Sequence, residues 1–188
     1  LSGGVEVLVL NGATLVGRGN GDANTIIGDA GGNNLDGGAG VDVFRADYSA
    51  RTESLRVVRD LNGDIFVPSS LTNLAAVHLR HVERLDVKLG GGADAVTGGV
   101  GDDRIDGGGG ADVMTYAAAS TNFAWVRNAD GSWTVRDLRP SGGEGVDTLI
   151  NIESVKFSDK TVSLTVTTAQ IAVSAILRDG GGATVQLA

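Results

Sequence analysis

The feature that most constrains this chain is a Gly-rich register of nine residues. Of its 30 Gly, 9 fall between Gly17 and Gly40 and 10 between Gly90 and Gly110. Read in nines, the second block runs LGGGADAVT (Leu89 to Thr97), GGVGDDRID (Gly98 to Asp106) and GGGGADVMT (Gly107 to Thr115). Asp holds the sixth place each time (Asp94, Asp103, Asp112) and an apolar residue the eighth (Val96, Ile105, Met114). The first block reads GNGDANTII (Gly19 to Ile27), GDAGGNNLD (Gly28 to Asp36) and GGAGVDVFR (Gly37 to Arg45), with Asn24, Asn33 and Asp42 sixth and Ile26, Leu35 and Phe44 eighth. A flexible linker has no reason to keep such a register, so a stacked repeat architecture is expected.

In each nonapeptide six residues must turn the chain, and the last three suffice for one short strand, so two nonapeptides make one coil. Gly supplies positive φ and close backbone approach in such turns. Alternation in the strand sends the eighth side chain inward, which predicts a thin apolar filling of Ile26, Leu35, Phe44, Val96, Ile105 and Met114. With aromatic content at 4%, that filling is too meagre to hold the stack alone. Successive coils lie about 4.8 Å apart, so neighbouring turns bring Asp side chains and outward-bent carbonyls around shared cavities. Those are hard oxygen donors of the kind that suit calcium.

Charge agrees with a cationic partner. The net charge is −8 and the pI about 4.6, which argues against nucleic acid or an anionic membrane. Asp outnumbers Glu by 18 to 5, and Asp beside Gly is the habit of metal loops rather than of a merely solvating surface. No Cys is present, which excludes disulfides and thiolate zinc. No apolar stretch is long enough for a membrane span, and the opening Leu1-Ser2-Gly3-Gly4 reads as a piece of a longer protein. No Ser-His-Asp signature, phosphate loop or HExxH motif appears.

Outside the blocks, Val5 to Leu10 (VEVLVL), Val82 to Val87 (VERLDV) and Ile152 to Phe157 (IESVKF) share apolar-Glu-x-apolar-x-apolar and read as strands. Their Glu6, Glu83 and Glu153 are expected in hydrogen-bonding or solvent-facing positions. Hairpins are expected at Leu55 to Arg59 with Asp64 to Val67, around Asn62-Gly63, and at Phe123 to Asn128 with Ser132 to Leu138, around Ala129-Asp130-Gly131. Trp125 and Trp133 are expected to pack across the second hairpin. His78 and His81, three apart on a strand, point to opposite faces and suit surface or packing roles better than joint zinc ligation. Thr168 to Arg178 reads as the lone helix, stopped by Gly180-Gly181-Gly182, and Ala183 to Ala188 as a short apolar end.

These residues, GGVGDDRID, GGGGADVMT and GGAGVDVFR above all, resemble the calcium-binding nonapeptide of the repeats-in-toxin (RTX) family, whose pattern is Gly-Gly-x-Gly-x-Asp-x-apolar-x. The stretch from Gly145 to Asp159 also looks like the segment that commonly follows such repeats in secreted bacterial proteins. The resemblance implies an all-β fold, a parallel β-roll, and export by type I secretion machinery. It also implies ions shared by turns two repeats apart. One set would be Gly90, Gly92 and Asp94 with Gly107, Gly109 and Asp112; a second would be Asn20, Asp22 and Asn24 with Gly37, Ala39 and Asp42. Asp103 and Asn33 would bind only if other turns complete theirs. The ions would number about two to four.

The expected organisation is a leading strand (1–18), a repeat block (19–45), a β insertion (46–88), a second block (89–115), a β cap (116–166) and a tail with a possible secretion signal (167–188). The expected function is a non-enzymatic, secreted calcium module that folds on meeting extracellular calcium. Its rivals are a calcium-dependent adhesin or surface-layer module binding a glycan or itself, and the non-catalytic end of a secreted hydrolase or peroxidase.

Overall fold

The computed structural model describes residues 1, 3–11, 15–28, 32–67, 77–141 and 143–165. The helix read at 168–178 and the closing 183–188 lie outside them. Each nonapeptide puts its seventh to ninth places into a strand, as the pattern requires. The first block gives β3 (Thr25–Ile27), β4 (Asn34–Asp36) and β5 (Val43–Asp47). The second gives β10 (Ala95–Thr97), β11 (Arg104–Asp106) and β12 (Val113–Thr115). Ahead of the first block stand β1 (Val7–Val9) and β2 (Val16–Arg18). Between the blocks are β6 (Arg56–Arg59), β7 (Ile65–Val67), β8 (Val77–Arg80) and β9 (Arg84–Lys88). After them come β13 (Phe123–Arg127), β14 (Trp133–Asp137), β15 (Val146–Ile150), β16 (Ser154–Lys156) and β17 (Thr161–Ser163).

The chain winds between two facing sheets. One has the order β1-β3-β5-β9-β11-β15-β14-β13, the other β17-β16-β12-β10-β6-β7-β8-β4-β2. Pairing between coils is parallel, as in Thr25 opposite Val43 and Val96 opposite Met114. The protein is thus all-β and a parallel β-roll. Among the described residues, antiparallel pairing is confined to β6-β7-β8, to β13-β14-β15 and to β16-β17.

The two blocks form one roll, because β5 pairs with β9 and β4 with β8, both in parallel. Their registers are offset: Arg84 lies opposite Val43, whereas Asp86 lies opposite Arg104. The roll therefore steps sideways by two residues at this junction, and β5 and β9 are long enough to span the step.

The eighth-place side chains Ile26, Leu35, Phe44, Val96, Ile105 and Met114 are all buried to 1% exposure or less. The filling is bulkier than the repeats alone suggest. At the junction Tyr48, Leu55, Ile65, Leu79, Leu85 and Leu89 join it. At the far end Tyr116, Phe123, Trp125 and Phe157 pack ring to ring, with centroids 4.8–5.6 Å apart. Trp125 lies opposite Val135 and reaches Phe157, while Trp133 lies between Arg127 and Leu149, so the two Trp are not paired across the hairpin.

Candidate metal centre

Winding between two sheets produces a column of turns along each edge of the roll. Along one edge lie residues 19–24, 37–42, 81–83, 98–103 and 143–147; along the other lie 48–55, 89–94, 107–112 and 151–153. Within a column the sixth-place side chain accepts a hydrogen bond from the backbone N–H at the corresponding place of the coil before it. Asn24 N donates to Asp42 Oδ1 (2.7 Å), Asp94 N to Asp112 Oδ1 (2.7 Å), Leu55 N to Asp94 Oδ1 (2.6 Å) and Asp103 N to Asp147 Oδ1 (2.9 Å). Two glutamates take the same place where a three-residue turn replaces a six-residue one: Asp42 N donates to Glu83 Oε2 and Asp112 N to Glu153 Oε2. One carboxylate oxygen per turn is thereby spent on the scaffold.

The other oxygen decides which turns can take a cation. Oδ2 of Asp42, Asp94 and Asp112 is buried without a hydrogen-bond partner, in residues exposed by no more than 1%. A carboxylate in that state is costly unless it is neutralised or meets a cation. Burial raises the pKa of all three, and Asp112, with Asp94 and Glu153 charges nearby, is pushed up to about 6.

The turns bearing Asp94 and Asp112 are stacked directly, and Gly109 N donates to Gly90 O (2.8 Å). A carbonyl has a second lone pair, so this bond leaves Gly90 O able to face the cavity. The carbonyls of Gly90 and Gly92 approach Gly108 (φ 82°) and Gly110 (φ 125°) so closely that a Cβ at either position would run into them. The first expected set, Gly90, Gly92, Asp94, Gly107, Gly109 and Asp112, therefore lies in two adjoining turns.

The second expected set is also adjoining, since Ala39 N donates to Asn20 O (3.0 Å). It is chemically poorer. Asn24 Oδ1 accepts from Asn20 N and its Nδ2 donates to Asn20 Oδ1 and Val5 O, so the turn closes on itself. Asp22 is exposed. Opposite them, on the turn that contains Gly37, Asp42 keeps its bare oxygen.

Asp103 and Asn33 are placed differently. Asp103 accepts from Leu85 N and from Gly99 N, so both its oxygens are engaged. Asn33 Oδ1 accepts from Leu15 N. The coil that completes the Asp103 turn begins with Gly143-Glu144-Gly145, where Asp147 Oδ2 accepts from the Tyr116 hydroxyl (2.6 Å). Burial and the Asp103 charge push Asp147 up to about 8, and burial raises the Tyr116 hydroxyl as well. His78 bonds Asp64 and stacks on Phe66, whereas His81 bonds Asp36, so they share no site. Among the described residues no three or more His, Asp or Glu side chains converge on one point, and a cation here would need backbone carbonyls to complete its shell.

Two coils escape the reading in nines. Gly142 to Ile150 (GGEGVDTLI) fits the pattern in full, but residues 116–141 separate it from the second block. Residues 50–58 occupy a nonapeptide's place without its sequence: Gly91 N donates to Arg51 O as Gly109 N does to Gly90 O, and Leu55 takes the sixth place. The first was legible had the count restarted after the gap. The second carries no signal.

A parallel roll whose edges present carbonyls and bare, buried carboxylate oxygens is built to hold hard cations. The family description "RTX calcium-binding nonapeptide repeat (4 copies)" matches residues 18–47 and 89–118. The chain thus carries RTX calcium-binding repeats in both blocks, and such repeats are a non-catalytic calcium-binding module. No curated protein matches the sequence.

Proposed function

We propose that this protein is an RTX module in which calcium completes the fold after export, stabilising a larger secreted protein. The observation that carries the reading is the pair Asp94 and Asp112: two stacked turns, one rung apart, each with a bare buried Oδ2. Calcium there would take Gly90, Gly92, Gly107 and Gly109 carbonyls with the two carboxylates, which suits its six to eight oxygen ligands. A weaker ion would lie at Asn20, Asp22 and Asn24 with Gly37, Ala39 and Asp42, where one carboxylate serves instead of two. The family resemblance supports type I secretion and an extracellular setting, and millimolar calcium outside the cell matches the affinity range of extracellular modules.

The test is a calcium titration of chelator-treated protein followed by circular dichroism and hydrodynamic radius, with magnesium as control. The expected result is an expanded protein that gains β structure and compacts with calcium and responds poorly to magnesium, which prefers six short bonds. Asp112→Ala should raise the calcium midpoint by about tenfold or more, the effect of about 1.4 kcal/mol. Asn24→Ala should move it much less. A compact protein whose thermal midpoint ignores calcium would overturn the reading.

A further inference from the structure

We propose that the three-residue turns His81-Val82-Glu83 and Asn151-Ile152-Glu153 are half-sites for calcium, each closing a site with the six-residue Asp turn on the coil before it. The inference rests on the calcium reading above and adds two gaps to it, Asp42 with Glu83 and Asp112 with Glu153. Neither three-residue turn carries the nonapeptide sequence. Both are nevertheless built alike. The first residue is non-Gly at positive φ, 48° at His81 and 49° at Asn151, a costly conformation that persists where the surroundings impose it. Its side chain is tied to the ninth-place Asp that leads into the Asp turn. His81 Nδ1 lies 2.8 Å from Asp36 Oδ1, and Asn151 Nδ2 donates to Asp106 Oδ1 at 2.8 Å. The apolar residue is an anchor, with Val82 4% and Ile152 5% exposed. The Glu accepts the N–H of Asp42 or Asp112, and its own N–H donates back to that Asp's carbonyl, 3.2 Å in both cases.

Held in this way, the short turns reproduce the donors of a nonapeptide. The space a Cβ on Gly19, a first-place residue, would fill is bounded by the next coil's first carbonyl, Gly37 O, and by the sixth-place Asn24 Oδ1. At Gly37 the same space is bounded by His81 O and Asp42 Oδ2, and at Gly107 by Asn151 O and Asp112 Oδ2. His81 and Asn151 therefore put a carbonyl where a nonapeptide puts its first, and Glu83 and Glu153 a carboxylate where it puts its sixth. The oxygens these carbonyls meet are the bare, buried Oδ2 atoms, whereas Asn24 in the equivalent place is an amide already engaged. Burial is the main cause that raises the Asp42 and Asp112 carboxyls, and the Glu83 and Glu153 charges add to it, so a cation in each gap would relieve both partners. Calcium there would take the Asp and Glu carboxylates, the His81 or Asn151 carbonyl and the second- and fourth-place carbonyls of the Asp turn, with water completing its shell. Asp112 would then serve an ion on either side, which the lone pairs of its oxygens allow.

The test counts calcium bound to the chelator-treated chain by equilibrium dialysis, beside the double variant Glu83→Gln with Glu153→Gln. Gln Oε1 still accepts from Asp42 N and Asp112 N, so the scaffold bonds survive and only charge is lost. At saturation the parent should bind about four ions and the double variant about two. In chelator the double variant's thermal midpoint should match or exceed the parent's, because the like charge beside each Asp is gone; in saturating calcium it should lie below. A midpoint lowered equally with and without calcium is the mark of a merely structural Glu and would overturn the proposal. Should the double variant not fold, the parent decides, since a count of about two or fewer overturns the proposal and about four upholds it. A parent that binds no calcium sinks the reading beneath, whereas a calcium-bound parent whose count the double variant leaves unchanged sinks this inference alone.

Discussion

At the scale of single residues, the sixth-place carboxylates divide by what their second oxygen meets. Asp42, Asp94 and Asp112 leave it bare, Asp103 gives it to a backbone N–H, and Asp147 gives it to a phenol. The sequence shows that the sixth place is special but not this division, because it depends on how each turn closes, Gly99 N of its own turn reaching Asp103 and the Tyr116 hydroxyl reaching Asp147. Burial holds Asp103 and Asp112 at about 6 and Asp147 at about 8. Below about pH 4 such carboxyls are protonated in both folded and unfolded chains and contribute no difference. As pH rises the unfolded chain loses protons first, so stability falls until the folded value is passed. In chelator, the thermal midpoint should therefore fall from about pH 4 to about pH 8. Asp147→Asn, whose Oδ1 still accepts from Asp103 N while its Nδ2 donates to the Tyr116 oxygen, should flatten the part above about pH 6. Asp137 works in the opposite sense: held at about 2 by Arg139, it adds stability that is lost only as pH drops below about 4. Differential scanning calorimetry over this range checks both signs, and a midpoint that rises toward pH 8 would remove the argument.

At the scale of the turn and strand, places within a nonapeptide differ in what they tolerate. Gly110 has φ 125° and its missing Cβ leaves room for Gly92 O, whereas a Cβ on Gly109 would meet only Gly91 Cα at 3.8 Å. Gly110→Ala should destabilise by about 1–2 kcal/mol from backbone strain alone, more with the carbonyl displaced, and should weaken calcium binding. Gly109→Ala should stay within about 0.5 kcal/mol of the parent. Urea melts with and without calcium separate the two, and equal losses would show that Gly content rather than Gly position matters. Strands were legible at this scale because the register itself assigns three residues to each. What could not be read is the junction, where β8 and β9 join the roll with neither Gly nor Asp in repeat register, and where Leu55 fills a sixth place by geometry alone.

For the molecule as a whole, the aromatic packing at one end compensates for a slender interior elsewhere. Phe157 touches Tyr116, Phe123 and Trp125, so Phe157→Ala should cost about 3–5 kcal/mol in urea unfolding with calcium present. A loss below about 1 kcal/mol would show that this end is not a cooperative part of the roll. The spacing of partners has a further consequence. Within a block a turn bonds to one 18 residues away, whereas Asp42 reaches Glu83 across 41. Loop closure grows only as the logarithm of length, so the longer excursion costs about 0.7 kcal/mol more than an ordinary coil. The chain can leave the stack after one coil and rejoin it at the next for less than the energy of one hydrogen bond. The roll is in that sense an open host, and the exposed hairpin tips around Leu61 and Asp130 are the ports at which evolution or an engineer could lodge foreign loops without disturbing the coils on either side.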